Sequence, residues 1–344
     1  MIAAARCGRV PIQFVSASSS SQAPLRAQSA ACVVLVRPAA FGYNPDTAMT
    51  NHFQRPVDAQ PQALQRRALA EFDALCAALE AAGVRTVIAE DSLVPAKPDA
   101  VFPNNWVSWH QDGTVVLYPM QPASRRAERR AELVAAVEQQ SGFRRQRCID
   151  LSGRELEGRY LEGTGSLVLD HAYGIVYACR SARTDEGLLA EWGRLLRYTP
   201  CIFDARAADG SVPYHTNVML AIGTRWAIVC AAAIVAADRE RVLGSLSASG
   251  RTLIDVSAEA MQQFAANVLE VRAGGAAGRG ASALSCHRHV LAMSASAAAA
   301  LQAQPGAWAA LRGCVDEVVA VDVGSIEQVG GGSVRCMLAE VFSA

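Results

Sequence analysis

The sequence predicts an α/β protein built as a closed ring of five similar ββαβ units. Short apolar strands recur along the chain, amphipathic helices separate them, and the strand openings are 60, 52, 50 and 66 residues apart. These openings lie at Asn105, Gly165, Asn217, Asn267 and Ser333. In such a ring the first strand of each unit would line a central channel, and the loops would meet at one mouth.

Each element of the ring follows from its local pattern. In the helix predicted at 61–82, apolar residues recur at three- and four-residue steps between Pro61 and Gly83, which suit a helix start and end. The other helices are predicted at 125–140, 185–196, 238–247 and 295–311. Strands are predicted at 32–37, 86–89, 100–110, 114–120, 147–151, 165–170, 174–180, 200–204, 217–223, 225–234, 252–256, 267–269, 290–293, 317–323 and 333–342.

The two ends of the chain are expected to close the ring, with strands 32–37 and 333–342 sharing one unit. The competing fold is a doubly wound parallel α/β sheet. That fold predicts a glycine-rich turn directly after the first strand, and Arg37-Pro38-Ala39-Ala40-Phe41 contains no glycine.

Composition limits the function classes. The 344 residues are 51% hydrophobic, and 32 basic residues balance 32 acidic residues. A chain of this composition buries a large core, and its zero net charge argues against a nucleic-acid partner. The longest apolar stretch, at 226–237, is too short for a membrane helix, so we expect no membrane association.

Cysteines and the N-terminus indicate the compartment and the domain boundary. Ten cysteines occur without a CxxC pair, mostly in apolar runs, which is typical of buried free thiols in a reducing cytoplasm. Residues 1–30 contain arginines and a serine run at 18–21 but no acidic residue. That composition suits a transit peptide, a disordered tail or a start site placed too early. A single catalytic domain is expected at 31–344.

Four segments combine polar groups with a strand opening, and the last of them is the most informative. Three glycines, Gly330 to Gly332, precede Cys336 at the predicted start of a strand. A thiolate is a strong nucleophile, and it needs a histidine base that a carboxylate orients. His215 and Glu162 suit these two roles if the ring brings them together. The other three segments are 99–106, 161–166 and 214–218.

The chain resembles the guanidine-modifying enzymes of the pentein superfamily over about residues 31 to 343, and most closely their citrulline hydrolase branch. The resemblance implies a five-bladed α/β propeller with pseudo-symmetric ββαβ repeats. It rests on the segments Phe102-Pro103-Asn104-Asn105-Trp106-Val107-Ser108, Tyr118-Pro119-Met120, Arg125-Arg126-Ala127-Glu128-Arg129-Arg130, Leu161-Glu162-Gly163-Thr164-Gly165-Ser166 and Gly330 through Cys336.

The resemblance also implies a role for particular residues. It places the nucleophile at Cys336, the acid/base histidine at His215 and the carboxylate partner of that histidine at Glu162. It places a substrate-binding carboxylate at Asp99. For the arginine that binds the α-carboxylate of the substrate it points to Arg183, and for a second arginine at the mouth it points to Arg125.

Two departures from the arginine deiminases concern the substrate. Those enzymes carry aspartates where this chain has Asn105 and Asn217. A carboxylate only accepts hydrogen bonds and suits a cationic guanidinium, whereas an amide also donates and suits the carbonyl of a neutral ureido group. The two asparagines therefore favour citrulline, although Asp99 could still pair with a guanidinium.

The predicted reaction is covalent hydrolysis of L-citrulline to L-ornithine, CO₂ and NH₃, with no metal or organic cofactor. The partner is a small amino-acid substrate, and the sequence leaves open whether the chain forms a homo-oligomer. Two alternatives stay open: deimination or amidino transfer on arginine or methylarginine, and non-catalytic binding of a guanidino or ureido compound. A polar loop at 44–54 is expected to cover the mouth, with Phe41 or Phe53 lining it.

Overall fold

The computed structural model describes residues 26–274 and 287–342, and in these ranges short strands recur in groups of three. In chain order the strands are β1 (Cys32–Arg37), β2 (Arg85–Glu90), β3 (Val107–Trp109), β4 (Thr114–Leu117), β5 (Arg147–Asp150), β6 (Val168–Asp170), β7 (Ile175–Cys179), β8 (Thr199–Phe203), β9 (Leu220–Ile222), β10 (Trp226–Val229), β11 (Thr252–Asp255), β12 (Leu269–Ala273), β13 (Arg288–Ser294), β14 (Glu317–Val321) and β15 (Ala339–Val341).

All the groups have the same pairing. The first strand is antiparallel to the second, and the second is parallel to the third, in β3-β4-β5, β6-β7-β8, β9-β10-β11, β12-β13-β14 and β15-β1-β2. The last group joins both ends of the chain, as predicted. Because Val341 of β15 also pairs with Trp109 of β3, two groups form one six-stranded sheet. The α/β class predicted from the sequence is confirmed.

Helices connect the strands. They are α1 (Pro45–Ala48), α2 (Pro61–Ala81), α3 (Ala131–Ser141), α4 (Gly163–Ser166), α5 (Glu186–Leu196), α6 (Ala236–Ser247), α7 (Ala258–Gln262), α8 (Ala295–Gln302), α9 (Pro305–Arg312), α10 (Gly324–Gly330) and α11 (Val334–Met337). The single helix predicted at 295–311 is in fact two, because Pro305 cannot occupy a helix interior and instead begins α9. The helix predicted at 125–140 is likewise a 3₁₀ turn, Ala123–Glu128, followed by α3.

The predicted strand openings are also corrected by the structure. A turn of helix precedes the first strand of several groups and ends two residues before that strand, at Asn105, Ser166, Val218 and Met337. Cys336 therefore lies on helix α11 and not at the start of a strand. These turns carry Asn105, Asn217 and Cys336, three of the predicted site residues, directly before the strands that follow them.

Apolar helix faces pack on the sheets and supply the core. Helix α2 buries Leu64, Phe72, Leu75 and Leu79, which together with Ala68 recur at three- and four-residue steps. Each such side chain contributes roughly 1.5–3 kcal/mol when fully buried. Helix α5 starts at its cap Asp185, whose side chain accepts the Leu188 N–H, and it buries Leu188, Leu189, Trp192 and Leu196. Within the described residues, no helix is long and apolar enough to cross a bilayer.

The predicted domain boundary at residue 31 is wrong for residues 26–30, which belong to the folded unit. Gln28 is buried and donates from Nε2 to the main-chain oxygens of Leu169 and Ile222, at 2.9 and 3.2 Å. Ser29 donates to Glu270 at 2.6 Å. This segment therefore connects strands of three different groups, by hydrogen bonds to main-chain oxygens of β6 and β9 and to the side chain of Glu270 in β12. Residues 1–25 lie outside the described residues.

We expect Gln28→Ala to lower the free energy of unfolding by about 1–3 kcal/mol, because it leaves buried carbonyl groups without donors. Thermal and urea unfolding would measure the change. Gln60→Ala is the control, since Gln60 is exposed and its side chain makes no cap hydrogen bond at the start of α2. Equal stability of the two variants would contradict a structural role for Gln28.

Candidate active site

Six of the eight predicted site residues line one small pocket: Asp99, Asn105, Arg125, Arg183, His215 and Cys336. The remaining two each contact a residue that lines this pocket. Glu162 contacts His215, and Asn217 contacts the sulfur of Cys336. Residues far apart in sequence are thus brought together at the ends of the strand groups.

The glycine loop before Cys336 is needed for two different reasons. Gly331 has a φ of 66°, in the left-handed region that favours glycine. A Cβ on Gly330 or Gly332 would lie 2.8 or 3.0 Å from the ring of Phe102. The loop can therefore pack on Phe102 only without side chains, and this contact sets the position of α11 and its cysteine.

The sulfur of Cys336 is buried and flanked by two amides. Asn267 Nδ2 lies 3.3 Å from Sγ, and Asn217 Nδ2 lies 3.5 Å from it. Burial raises the pKa of the thiol, and the hydrogen bond from Asn267 is the largest effect opposing this rise. The cysteine is therefore protonated at neutral pH.

The position of Asn217 corrects its predicted role as a ligand of the ureido group. Asn217 does not line the pocket formed by the other candidates but lines a different cavity. Its amide nitrogen lies beside Sγ of Cys336 instead. Asn267, which opened a strand in the sequence pattern without any assigned chemistry, is the second such neighbour.

His215 and Glu162, predicted to be an acid/base histidine and its carboxylate partner, are in direct contact. His215 Nε2 lies 2.8 Å from Oε2 of Glu162, while Nδ1 is buried with no hydrogen-bond partner among the described residues. Burial lowers the pKa of His215 to about 4, against the opposing effect of Glu162. The imidazole is therefore neutral at pH 7. Because a carboxylate only accepts, Nε2 carries the proton and Nδ1 is left as a base.

Glu162 stays ionised although it is fully buried. Burial would raise its pKa, but Arg183, His215 and Arg125 together lower that pKa to about 2. Its Oε1 also accepts the main-chain N–H of Gln121 at 2.9 Å.

Gly163 and Gly165 allow this close packing. A Cβ on Gly163 would lie 2.3 Å from the carbonyl oxygen of Asn104. A Cβ on Gly165 would lie 2.6 Å from the His215 ring and 2.5 Å from the amide nitrogen of Asn105. The sequence 161–166 is therefore a close-packing motif as well as the source of the carboxylate.

Asp99 presents an unused acceptor. Its Oδ2 accepts from Asn44 at 2.6 Å and from Thr47 at 3.3 Å, while Oδ1 is buried without a hydrogen-bond partner in the described part of the chain. Burial raises the pKa of Asp99, and the charge of Arg125 opposes that rise. A ligand N–H would satisfy Oδ1.

Arg125 acts on its neighbours within the protein. It binds Glu128 in a bidentate pair at 2.9 and 2.8 Å, and its Nη1 donates to Oδ1 of Asn105 at 2.6 Å. Since a guanidinium only donates, this bond fixes the Asn105 amide with its oxygen toward Arg125. The amide nitrogen of Asn105 donates to Asn104 at 3.0 Å and keeps a second N–H.

Arg183 is almost as fully engaged as Arg125. Its guanidinium donates to Glu162 at 3.3 Å, to the carbonyl of Thr47 at 2.9 Å and to Thr50 Oγ1 at 2.7 Å. The ring of Tyr214 lies beneath it at 4.9 Å. Arg183 therefore joins the catalytic carboxylate to the loop at 44–54.

That loop does cover the pocket, as the sequence suggested. Thr47 and Asn51 line the pocket, and Asn51 also donates to the carbonyl of Gly331 at 3.1 Å. The two aromatic candidates are elsewhere: Phe41 belongs to the hydrophobic core, and Phe53 packs on Tyr214 and Phe264. Phe102 and Tyr214 line the pocket instead.

A family model confirms the relationship that the motifs indicated. The model described as "N,N dimethylarginine dimethylhydrolase, eukaryotic" matches residues 37–343. The chain belongs to this family. It is therefore a pentein, and the predicted class, a hydrolase that acts on C–N bonds, is confirmed at the level of the family.

Solved structures share the fold at low sequence identity. Apo ArgZ, an arginine dihydrolase of the ornithine–ammonia cycle in cyanobacteria, has a TM-score of 0.65 and 13% identity, covering 91% of this chain and 41% of that one. The N-terminal domain of ArgZ with bound product has a TM-score of 0.64 and 15% identity, covering 91% and 99%. A dimethylarginine dimethylaminohydrolase adduct with S-methyl-L-thiocitrulline has a TM-score of 0.58 and 14% identity, covering 90% and 98%.

The chain thus spans about two fifths of the full arginine dihydrolase and nearly all of the N-terminal domain of that enzyme. No curated protein matches the chain in sequence.

We expect alkylation of Cys336 by iodoacetamide to accelerate steadily as the pH rises above 7, because burial raises the thiol pKa and the thiolate is the reactive form. Mass spectrometry of the peptide containing Cys336 measures the rate at each pH. A rate that reached its plateau below pH 7 would show a preformed thiolate and contradict the neutral resting state.

Proposed function

We propose that this chain is a cysteine-dependent hydrolase of the ureido group of a small amino acid, acting in the cytoplasm. The proposed reaction converts L-citrulline and water to L-ornithine, CO₂ and NH₃. The site belongs to one catalytic domain, in which the five strand groups close into a five-bladed propeller. The common pairing pattern of the groups and the shared sheet of β15 and β3 support that closure.

The orientation of the Asn105 amide is the observation that favours a ureido substrate over a guanidinium substrate. Arg125 holds the amide oxygen at 2.6 Å, so the amide offers the pocket an N–H group and not an acceptor. A ureido carbonyl needs such a donor, whereas a guanidinium, which only donates, would leave it unpaired. Unpaired buried polar groups cost about 1–3 kcal/mol each.

The charges around the pocket are largely paired within the protein. Glu128 neutralises Arg125 at 2.8 Å, and Glu162 lies 3.3 Å from Arg183. Asp99 is 4.0 Å from Arg125 and offers Oδ1 to an N–H of the ureido group. A neutral substrate with both donors and a carbonyl acceptor matches this arrangement.

In the proposed mechanism, Sγ of Cys336 attacks the ureido carbon while its proton moves to Nδ1 of His215. The bond to the terminal nitrogen breaks, and His215 returns the proton so that ammonia leaves. A thiocarbamate on Cys336 remains. His215 then takes a proton from water, the hydroxide adds to the carbonyl, the C–S bond breaks, and the released carbamate loses CO₂ to give ornithine.

Glu162 supports both proton transfers through its hydrogen bond to Nε2. It stabilises the imidazolium that forms in each step and keeps the ring in the required tautomer. The mechanism uses side chains of this chain and a water molecule.

The proposed contact of Arg183 with the substrate α-carboxylate needs a rearrangement. Four of its N–H groups already bind Glu162, Thr47 and Thr50, so one is left for a ligand. A bidentate grip requires Thr50 and its loop to move away. Arg125 is similarly occupied by Glu128 and Asn105, and we assign it the role of fixing Asn105.

Asp99 supports a second candidate function, deimination of arginine or methylarginine. A buried carboxylate with an unpaired oxygen at the pocket wall could bind a guanidinium. The same cysteine, histidine and glutamate would serve that reaction. A non-catalytic binder has no need for this triad of side chains.

Parallel assays with L-citrulline, L-arginine and a methylarginine distinguish these candidates. We expect ornithine and ammonia from citrulline, little product from the guanidino compounds, and at least about a thousandfold loss in Cys336→Ala, as expected for a nucleophile. Citrulline formed from arginine would support deimination. Turnover unchanged in Cys336→Ala would overturn covalent catalysis.

Asn105→Asp tests the amide argument directly. The change replaces the N–H offered to the ureido carbonyl by an acceptor, so kcat/KM for citrulline should fall at least about tenfold. The ratio of activity on arginine to activity on citrulline should rise. Gln60→Glu changes the charge equally at an exposed position outside the site. An unchanged substrate ratio in Asn105→Asp would remove the basis for assigning citrulline.

A further inference from the structure

Two amide side chains contact the sulfur of Cys336. Asn267 is fully buried, and its Nδ2 lies 3.3 Å from Sγ. Asn217 is buried to the same degree, with Nδ2 at 3.5 Å. Each amide oxygen lies farther from Sγ than the amide nitrogen of the same residue, at 3.6 Å in Asn267 and 3.9 Å in Asn217.

The orientation of the Asn267 amide is fixed by a second bond. Its Nδ2 donates to the main-chain oxygen of Asn217 at 3.0 Å, and a carbonyl can only accept. The nitrogen must therefore be the atom near both the carbonyl and the sulfur. One N–H is used for the carbonyl, and the other is available to Sγ. The same bond joins the two asparagines into one unit.

We propose that Asn267, together with Asn217, is a catalytic residue whose amide N–H groups donate to Sγ of Cys336 and stabilise the thiolate during attack. Hydrogen bonds to an ionised group are about twice as strong as bonds between neutral groups, so they favour the thiolate over the thiol. When the sulfur is protonated, it can donate instead to the nearby amide oxygens. The two amides can therefore bond to the sulfur in both protonation states without moving.

The need for these two amide donors rests on the proposed function. A guanidinium substrate brings a positive charge next to the sulfur, and that charge by itself favours the thiolate. A ureido substrate is neutral and brings none. The two amides then supply the stabilisation from the protein, and aspartates in their place would repel the thiolate.

Other charged and titratable groups around the sulfur remain constant in the test. Arg335 lies on the same helix as Cys336, and its charge favours the thiolate. The groups that line the pocket with Cys336 are Asp99, Arg125, Arg183, Tyr214 and His215. A change confined to Asn267 leaves all of them in place, so a change in thiol reactivity reports on the amide.

The test is the pH profile of iodoacetamide alkylation at Cys336 in the full chain, followed by mass spectrometry. In Asn267→Ala and Asn267→Leu we expect the rate at pH 7 to fall about tenfold, the change that one pKa unit produces. The leucine variant fills the volume of the amide without a donor. Met261→Ala, a fully buried core change away from the sulfur, controls for general destabilisation.

Steady-state kinetics give a second measurement. Asn267 touches the sulfur and is not among the residues that line the substrate pocket, so the variants should lower kcat and leave KM nearly unchanged. Folded variants with the wild-type alkylation profile would overturn the proposal. Because alkylation needs no turnover, a chain that proved inactive on citrulline would contradict the proposed function and leave this test intact.

Discussion

The site depends on one buried carboxylate, Glu162. This side chain has no exposed surface, yet it remains charged because Arg183, His215 and Arg125 surround it. Through these contacts it fixes the catalytic imidazole, and through Arg183 it is connected to the covering loop. Removing it would leave a buried cation without a partner, a far larger penalty than the loss of one hydrogen bond.

Burial also determines the protonation states of Cys336 and His215. Burial raises the pKa of Cys336 and lowers that of His215, so both side chains are neutral at pH 7. In the proposed mechanism the thiol therefore ionises only during attack, when its proton moves to His215. A thiol is also less readily oxidised than a thiolate, so burial protects Cys336 from oxidation.

Local pattern was sufficient to predict most of the strands and helices, and the family resemblance selected side chains that the structure brings together. The strand at 32–37 and the helix starting at Pro61 agree with the structure, because periodicity and proline placement are local signals. The turn of helix that holds Cys336 was predicted as strand, since four residues are too few to show a helical period. The bond between Gln28 and strands over a hundred residues away has no sequence signal at all.

Asn105 and Asn217 show most clearly which contacts could not be predicted from the sequence. Sequence reasoning treated Asn105 and Asn217 as equivalent substrate contacts, because both stand where the arginine deiminases carry aspartates. The structure separates them, since Asn105 ends its turn of helix and Asn217 lies one residue before the end of its own. Cys336 also lies one residue before the end of its turn. A shift of one residue on a 3₁₀ turn rotates a side chain by about 120°, so the Asn217 amide contacts the sulfur and Asn105 lines the pocket.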